Sequence, residues 1–151
     1  WALAFWGLVM IQIALGAFVA GLDAGRIFNT WPLMDGRVIP EGYLSGMGWF
    51  QAAFESLPAV QLHHRWTGYL VAIAVVVLAV ALRKSGIAAL KRSARGLITL
   101  VAVQIILGIA TLLLGAPLWL SLLHQAGAIA VFVIAGLTAR RAREAATGLP
   151  A

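Results

Sequence analysis

The chain has 151 residues, 62% of them hydrophobic and 11% charged, with 11 Lys and Arg set against 5 Asp and Glu for a net charge of +6. A soluble domain carries roughly 25% charged residues, and one with so few could not cover its own surface, so lipid is the solvent this composition suits. Cysteine is absent, which excludes disulfides, thiolate metal sites and a cysteine nucleophile.

Crossing a bilayer takes about 20 apolar residues of helix, and four stretches are long enough. The first runs from about 3 to 22. It has no basic leader and is one of four alike, which argues against a signal peptide. The chain opens at Trp1, already inside this run, as expected of a piece of a longer protein. The connection that follows, 23–57, is rich in Gly, Pro, Asn and Asp, a composition that signals ordered turns. Its stretch from Tyr43 to Leu57, with Trp49, Phe50 and Phe54, is expected to lie as a helix on the membrane surface. The second span runs from about 58 to 82, the third from 96 to 115 and the fourth from 118 to 139. Lipid offers backbone groups no partner, so such spans are helical, and none alternates with the period of two that a barrel strand needs. The fold expected is an all-α membrane protein, a single four-helix domain over 1–151.

Charge sorts by side. Arg83, Lys84, Lys91, Arg92 and Arg95 lie between the second and third spans, and Arg140, Arg141 and Arg143 follow the fourth. The first connection carries Asp23, Asp35, Glu41 and Glu55 against Arg26 and Arg37. The positive-inside rule puts the basic segments and both termini in the cytoplasm and 23–57 outside. The basic balance therefore reports orientation, and a nucleic-acid partner is not expected, since no basic stripe with interleaved aromatics is present.

The four spans read as two similar hairpins. Gln12-Ile13-Ala14-Leu15-Gly16 in the first matches Gln104-Ile105-Ile106-Leu107-Gly108 in the third. The second and fourth each carry a histidine followed within a turn by glycine, His64 with Gly68 and His124 with Gly127. The recurrence of both patterns in the same order points to an internal repeat.

Ionisable groups inside a membrane are costly and default to functional candidates. Here they are His63, His64, Arg65 and His124. His64 lies about six residues into its span, roughly 9 Å at 1.5 Å per residue, and His124 lies at nearly the same depth. Two histidines at matched depth on different helices suit axial ligation of a haem from its two faces. Gly68 and Gly127 fall on the faces of their histidines, where a missing side chain lets a flat porphyrin lie close. The bland alternative, glycine at a helix contact, is weaker with a histidine beside each. Zinc fits poorly, since it takes three or four protein ligands. His63 points about 100° away from His64, toward another helix or the interface. Arg65 is placed either to meet a haem propionate or to snorkel to the outer surface. Gln12 and Gln104 read as interhelical hydrogen bonds worth about 1 kcal/mol each.

Gly21-Leu22-Asp23-Ala24-Gly25, Asn29-Thr30-Trp31-Pro32-Leu33-Met34-Asp35-Gly36, His64-Arg65 and Leu123-His124-Gln125 together resemble the C-terminal half of haem A synthase, over essentially the whole chain. The resemblance implies an eight-helix oxidoreductase built from two four-helix halves with cytoplasmic ends, in the bacterial inner membrane. It implies oxidation of the C8 methyl of haem O to the formyl of haem A, for cytochrome oxidase assembly. In that family the N-terminal half holds the substrate haem O. The C-terminal half holds a b-type haem that passes electrons, its iron bound by histidines at the positions of His64 and His124. Gly68, Gly127 and Arg65 are the further cofactor-binding candidates. Lipid, the missing half, a second copy of the chain and haem O synthase are the partners to consider. One departure stands out. The N-terminal half has Glu-x-x-His-Arg where this chain has Gln61-Leu62-His63-His64-Arg65, and glutamine cannot accept a proton, so no catalytic residue is expected here and the isolated half should not oxidise haem O. Two other readings stay open: a free-standing b-type cytochrome subunit of a respiratory complex, which leaves the Asn29–Gly36 run unexplained, and a purely structural or transport bundle.

Overall fold

The computed structural model describes residues 1–147. Four long helices dominate it: α1 (Ala2–Gly21), α3 (Leu57–Lys84), α4 (Ala88–Leu113) and α5 (Leu118–Thr147), with a short α2 (Trp49–Glu55) ahead of α3. Among the described residues there is no strand beyond one isolated bridge between Met34 and Arg37. Each long helix is apolar enough to cross a membrane. Their outward faces carry Leu3, Met10, Ile73, Val77, Ile106, Leu122, Ile129 and Val133, all about half exposed or more. So continuous an apolar surface is stable only against lipid, and the protein is an integral membrane protein. The helices form a closed ring in which α1 and α4 each pack against both α3 and α5.

The helices run past two of the expected boundaries. The third span was expected from about 96, but α4 starts at Ala88, and the fourth was expected to end near 139, but α5 continues to Thr147. Hydropathy marks where a helix leaves lipid, and good helix formers carry it further. In the first turns of α4, Leu90, Ala94 and Leu97 enter the core while Lys91, Arg92 and Arg95 stay exposed. At the end of α5, Arg140 Nε donates to Glu144 at 2.7 Å. The basic loop therefore shrinks to Ser85-Gly86-Ile87, with Gly86 at φ +79. The surface helix is also shorter than the Tyr43–Leu57 stretch, because Ser45 and Gly46 take left-handed conformations and hold a turn until Trp49.

The interior is layered along the bundle axis. At the end bearing the basic residues, Phe5, Val9, Val71, Val75, Leu78, Leu90, Leu97, Val101, Val131 and Ala135 form one apolar core. That core stops half-way. The next layer is made by Gln12, His64, Gln104, His124 and four glycines. A third layer is the 22–56 connection, folded over the other end. There Asn29 Nδ2 donates to the carbonyls of Gly25 (2.9 Å) and Leu112 (2.8 Å), pinning the connection to the end of α4. Thr30 and Asp35 close a tight loop, with Asp35 N donating to Thr30 Oγ1 at 2.8 Å. Met34 at its tip is 2% exposed. Ser56 caps α3, accepting from Ala59 N, while its hydroxyl donates to the Tyr43 carbonyl at 2.7 Å.

Candidate functional site

The middle layer brings together the two histidines singled out from sequence. His64 sits in the second turn of α3 and His124 in the second turn of α5. Their ring centroids are 6.5 Å apart and the rings are nearly perpendicular, at 89°. An imidazole binds a transition metal at about 2.0–2.1 Å, so two such bonds in line put the ring centres roughly 6 Å apart. The observed spacing fits two imidazoles on one metal centre. His124 Nδ1 is buried and has no hydrogen-bond partner. Among the described residues no cluster of three or more His, Cys, Asp or Glu forms.

The repeat seen in the sequence is a repeat in space. A Cβ built at Gly16 of α1 would lie 3.0 Å from His64 Cε1, and one at Gly108 of α4 would lie 3.0 Å from His124 Cε1. Each imidazole thus rests in a gap that the neighbouring helix leaves by having no side chain there. One turn away the relation reverses. Gly68 of α3 faces the Gln12 amide at 3.4 Å, and a Cβ at Gly127 of α5 would collide with the Gln104 amide. A glutamine amide thus lies against each of Gly68 and Gly127, the two positions singled out as room for a porphyrin, and only at Gly127 would a side chain collide with it. Gly16 and Gly108, which lie against the rings, were not singled out as site residues. Their signal was present in the sequence as the final residue of the recurring Gln-Ile-x-Leu-Gly box.

The remaining candidates serve the loop. His63 turns away from His64, as its position on the helix requires, and shares a 2.8 Å hydrogen bond with the Tyr43 hydroxyl. Arg65, expected either to meet a haem propionate or to snorkel to the outer surface, reaches the connection. It does not end in solvent there, because Nη2 donates to Phe28 O at 2.6 Å and Nη1 to Thr30 O at 2.8 Å. Gln61, 2% exposed, donates to the same Phe28 carbonyl at 3.3 Å. Three residues upstream of His64 there is thus an amide tied to the loop. Two grooves elsewhere on the molecule, one of about 190 Å³ between α1 and α3 and one of about 330 Å³ at the end of α1, are lined by apolar residues and hold no titratable side chain.

Four membrane-spanning helices around a pair of facing histidines define an integral membrane protein with a two-imidazole site in its interior. Residues 1–135 match the family COX15-CtaA, described as cytochrome oxidase assembly protein, and the chain belongs to that family. Similar proteins include the heme A synthase of Maricaulis maris, 61% identical over 139 residues that cover 90% of this chain and 41% of that protein. The heme A synthase of Methylobacterium radiotolerans is 43% identical, covering 90% and 38%, and that of a Caulobacter species is 44% identical, covering 95% and 42%. The chain spans about two fifths of the length of these curated relatives. No solved structure matches it.

Proposed function

We propose that this chain is the C-terminal half of a haem A synthase, and that it holds a b-type haem between His64 and His124 in an enzyme that oxidises haem O to haem A. The observation that carries the reading is the 6.5 Å spacing of two interior imidazoles contributed by equivalent helices of two hairpins. A b-type haem there supplies one-electron transfer. His64 and His124 would hold the haem, which would then serve electron transfer and not oxygen chemistry. The apolar core closes the site from the basic end. Arg65, Gln61 and Asn29 hold the connection over the other end, so that water is kept from the imidazoles. Gln61 offers a neutral amide where proton transfer would need a carboxylate, which leaves the oxidation of haem O to the missing half. Lipid surrounds the bundle, and a second copy and haem O synthase are the protein partners that belong to this reading. The basic end faces the cytoplasm and the connection faces outward, in a bacterial inner membrane.

The test uses full-length protein purified from membranes. His64→Ala and His124→Ala should each abolish the low-spin b-type absorption or convert it to high spin. Wild-type spectra from both variants would sink the assignment. The free-standing cytochrome is checked at the gene: an upstream four-helix half is expected, and its absence would favour the cytochrome.

A further inference from the structure

The middle layer holds two polar groups that the haem reading does not use. Gln12 Oε1 is buried without a partner, and so is His124 Nδ1. An imidazole that binds a metal through one nitrogen carries its proton on the other, and that N–H almost always finds an acceptor, which fixes the ring's tautomer and rotation. A buried N–H left alone costs the whole desolvation of the group.

Gln12 is placed to be that acceptor. Its Nε2 lies 3.1 Å from His64 Nδ1, nearer than the 3.4 Å to His64 Nε2, and 3.1 Å from the His64 carbonyl oxygen. The last torsion of a glutamine is soft and two-fold, and a half-turn exchanges the two ends of the amide, bringing Oε1 to Nδ1. The half-turn gives up the bond to the His64 carbonyl and sets two oxygens about 3.1 Å apart there, so the amide must also shift slightly toward the ring; the carbonyl keeps its helical partner, the Gly68 N–H. A Cβ at Gly68 would meet the amide at 3.4 Å, an ordinary contact, so the glycine leaves slack for this movement. The second hairpin places its glutamine in the same position, although among the described residues no hydrogen bond joins Gln104 to His124, whose Nδ1 is the group without a partner. Gln104 lies against Gly127, three residues after His124, and Gly108, one turn after Gln104, lies against the His124 ring. A glutamine buried in a membrane is costly, and two at the same place in a repeat, each beside a candidate ligand, have a common use.

We infer that Gln12 and Gln104 are positioning residues, each accepting with its amide oxygen the Nδ1–H of the neighbouring histidine and leaving Nε2 to face the iron. The inference rests on the haem reading above. Gly16 and Gly108 complete the device by setting how closely each ring lies to the helix that orients it. The acceptor also adjusts the iron, because a stronger acceptor on Nδ1–H makes the imidazole a better electron donor and favours the oxidised metal.

The experiment uses full-length protein, with Gln12→Leu, Gln104→Leu, Gln12→Glu and His64→Ala compared by haem retention, midpoint potential and low-temperature EPR. Loss of the amide in either Leu variant should weaken haem retention by roughly 10–100-fold, raise the midpoint potential and shift the low-spin g values. Gln12→Glu, of the same shape and a stronger acceptor, should restore retention and bring the potential below that of the wild type. A packing role alone would lower stability and leave the potential of the remaining haem-loaded fraction unchanged. Wild-type potential and g values in the Leu variants, or in Gln12→Glu should Gln12→Leu fail to fold, would overturn the inference while the haem reading stands. A wild-type spectrum in His64→Ala would overturn both.

Discussion

Arg65 follows His64 in the chain, and its guanidinium ties α3 to Phe28 and Thr30 of the connection. Carbonyl oxygens accept from its guanidinium, Asp35 acts on its charge from a distance, and among the described residues no acidic side chain forms an ion pair with it. Arg65→Met keeps the aliphatic stem and removes the donors. The Phe28 carbonyl keeps the Gln61 N–H, whereas the Thr30 carbonyl loses its donor at a cost of about 1–3 kcal/mol if it stays buried, so the loop should loosen. Hydrogen exchange over residues 28–36 should speed up by one to two orders of magnitude while α1 and α4 keep their protection; unchanged exchange would mean the bonds contribute nothing. Gln61 next to it gives the opposite case. Gln61→Glu would restore the carboxylate that the resemblance associates with catalysis, but at a position 2% exposed whose N–H now serves Phe28. The variant should lose stability, by about 1–3 kcal/mol or more for an unpaired polar group, and gain no haem O oxidation. Thermal unfolding in detergent and haem extraction read the two parts separately.

Among the elements, α3 and α4 show what sequence could convey. The apolar runs located all four spans, because lipid selects length and hydropathy together. They could not locate the ends of α4 or α5, since Lys91, Arg92, Arg95 and Arg140 are good helix formers that happen to lie beyond the lipid. Periodicity directs Gly68 and Gly127 to the faces of their histidines. It could not say which neighbour's side chain would fill the gap, because helix spacing fixes direction within one helix and nothing about its partner. The short α3–α4 turn follows from the same extension. Gly86 sits at φ +79, a conformation that costs an L side chain about 1–2 kcal/mol. Gly86→Val should therefore lower the unfolding temperature, whereas Gly7→Ala, at a helical position with open space around it, should not.

At the scale of the whole molecule, the layering separates stability from chemistry. Apolar packing is confined to the basic half, and the polar layer lies under the connection. The orientation of that axis is open to a direct measurement in intact cells, in a background with no other reactive cysteine. Val38→Cys should react with a membrane-impermeant thiol reagent and Ser85→Cys should be protected; the reverse pattern would invert the protein. One contact bears on how such a bundle comes into being. Asn29 reaches across 83 residues of sequence to the Leu112 carbonyl. While the chain emerges during synthesis, α1 and α3 can insert and pair, and Arg65 and Gln61 already hold the cover to α3, but its anchor on α4 is absent until the last turn of that helix has crossed the bilayer. In the interval the middle layer is open on that side. A cofactor delivered in that interval would meet a layer without α4 and α5, and the bond from Asn29 to α4 fastens the cover before His124 arrives on α5.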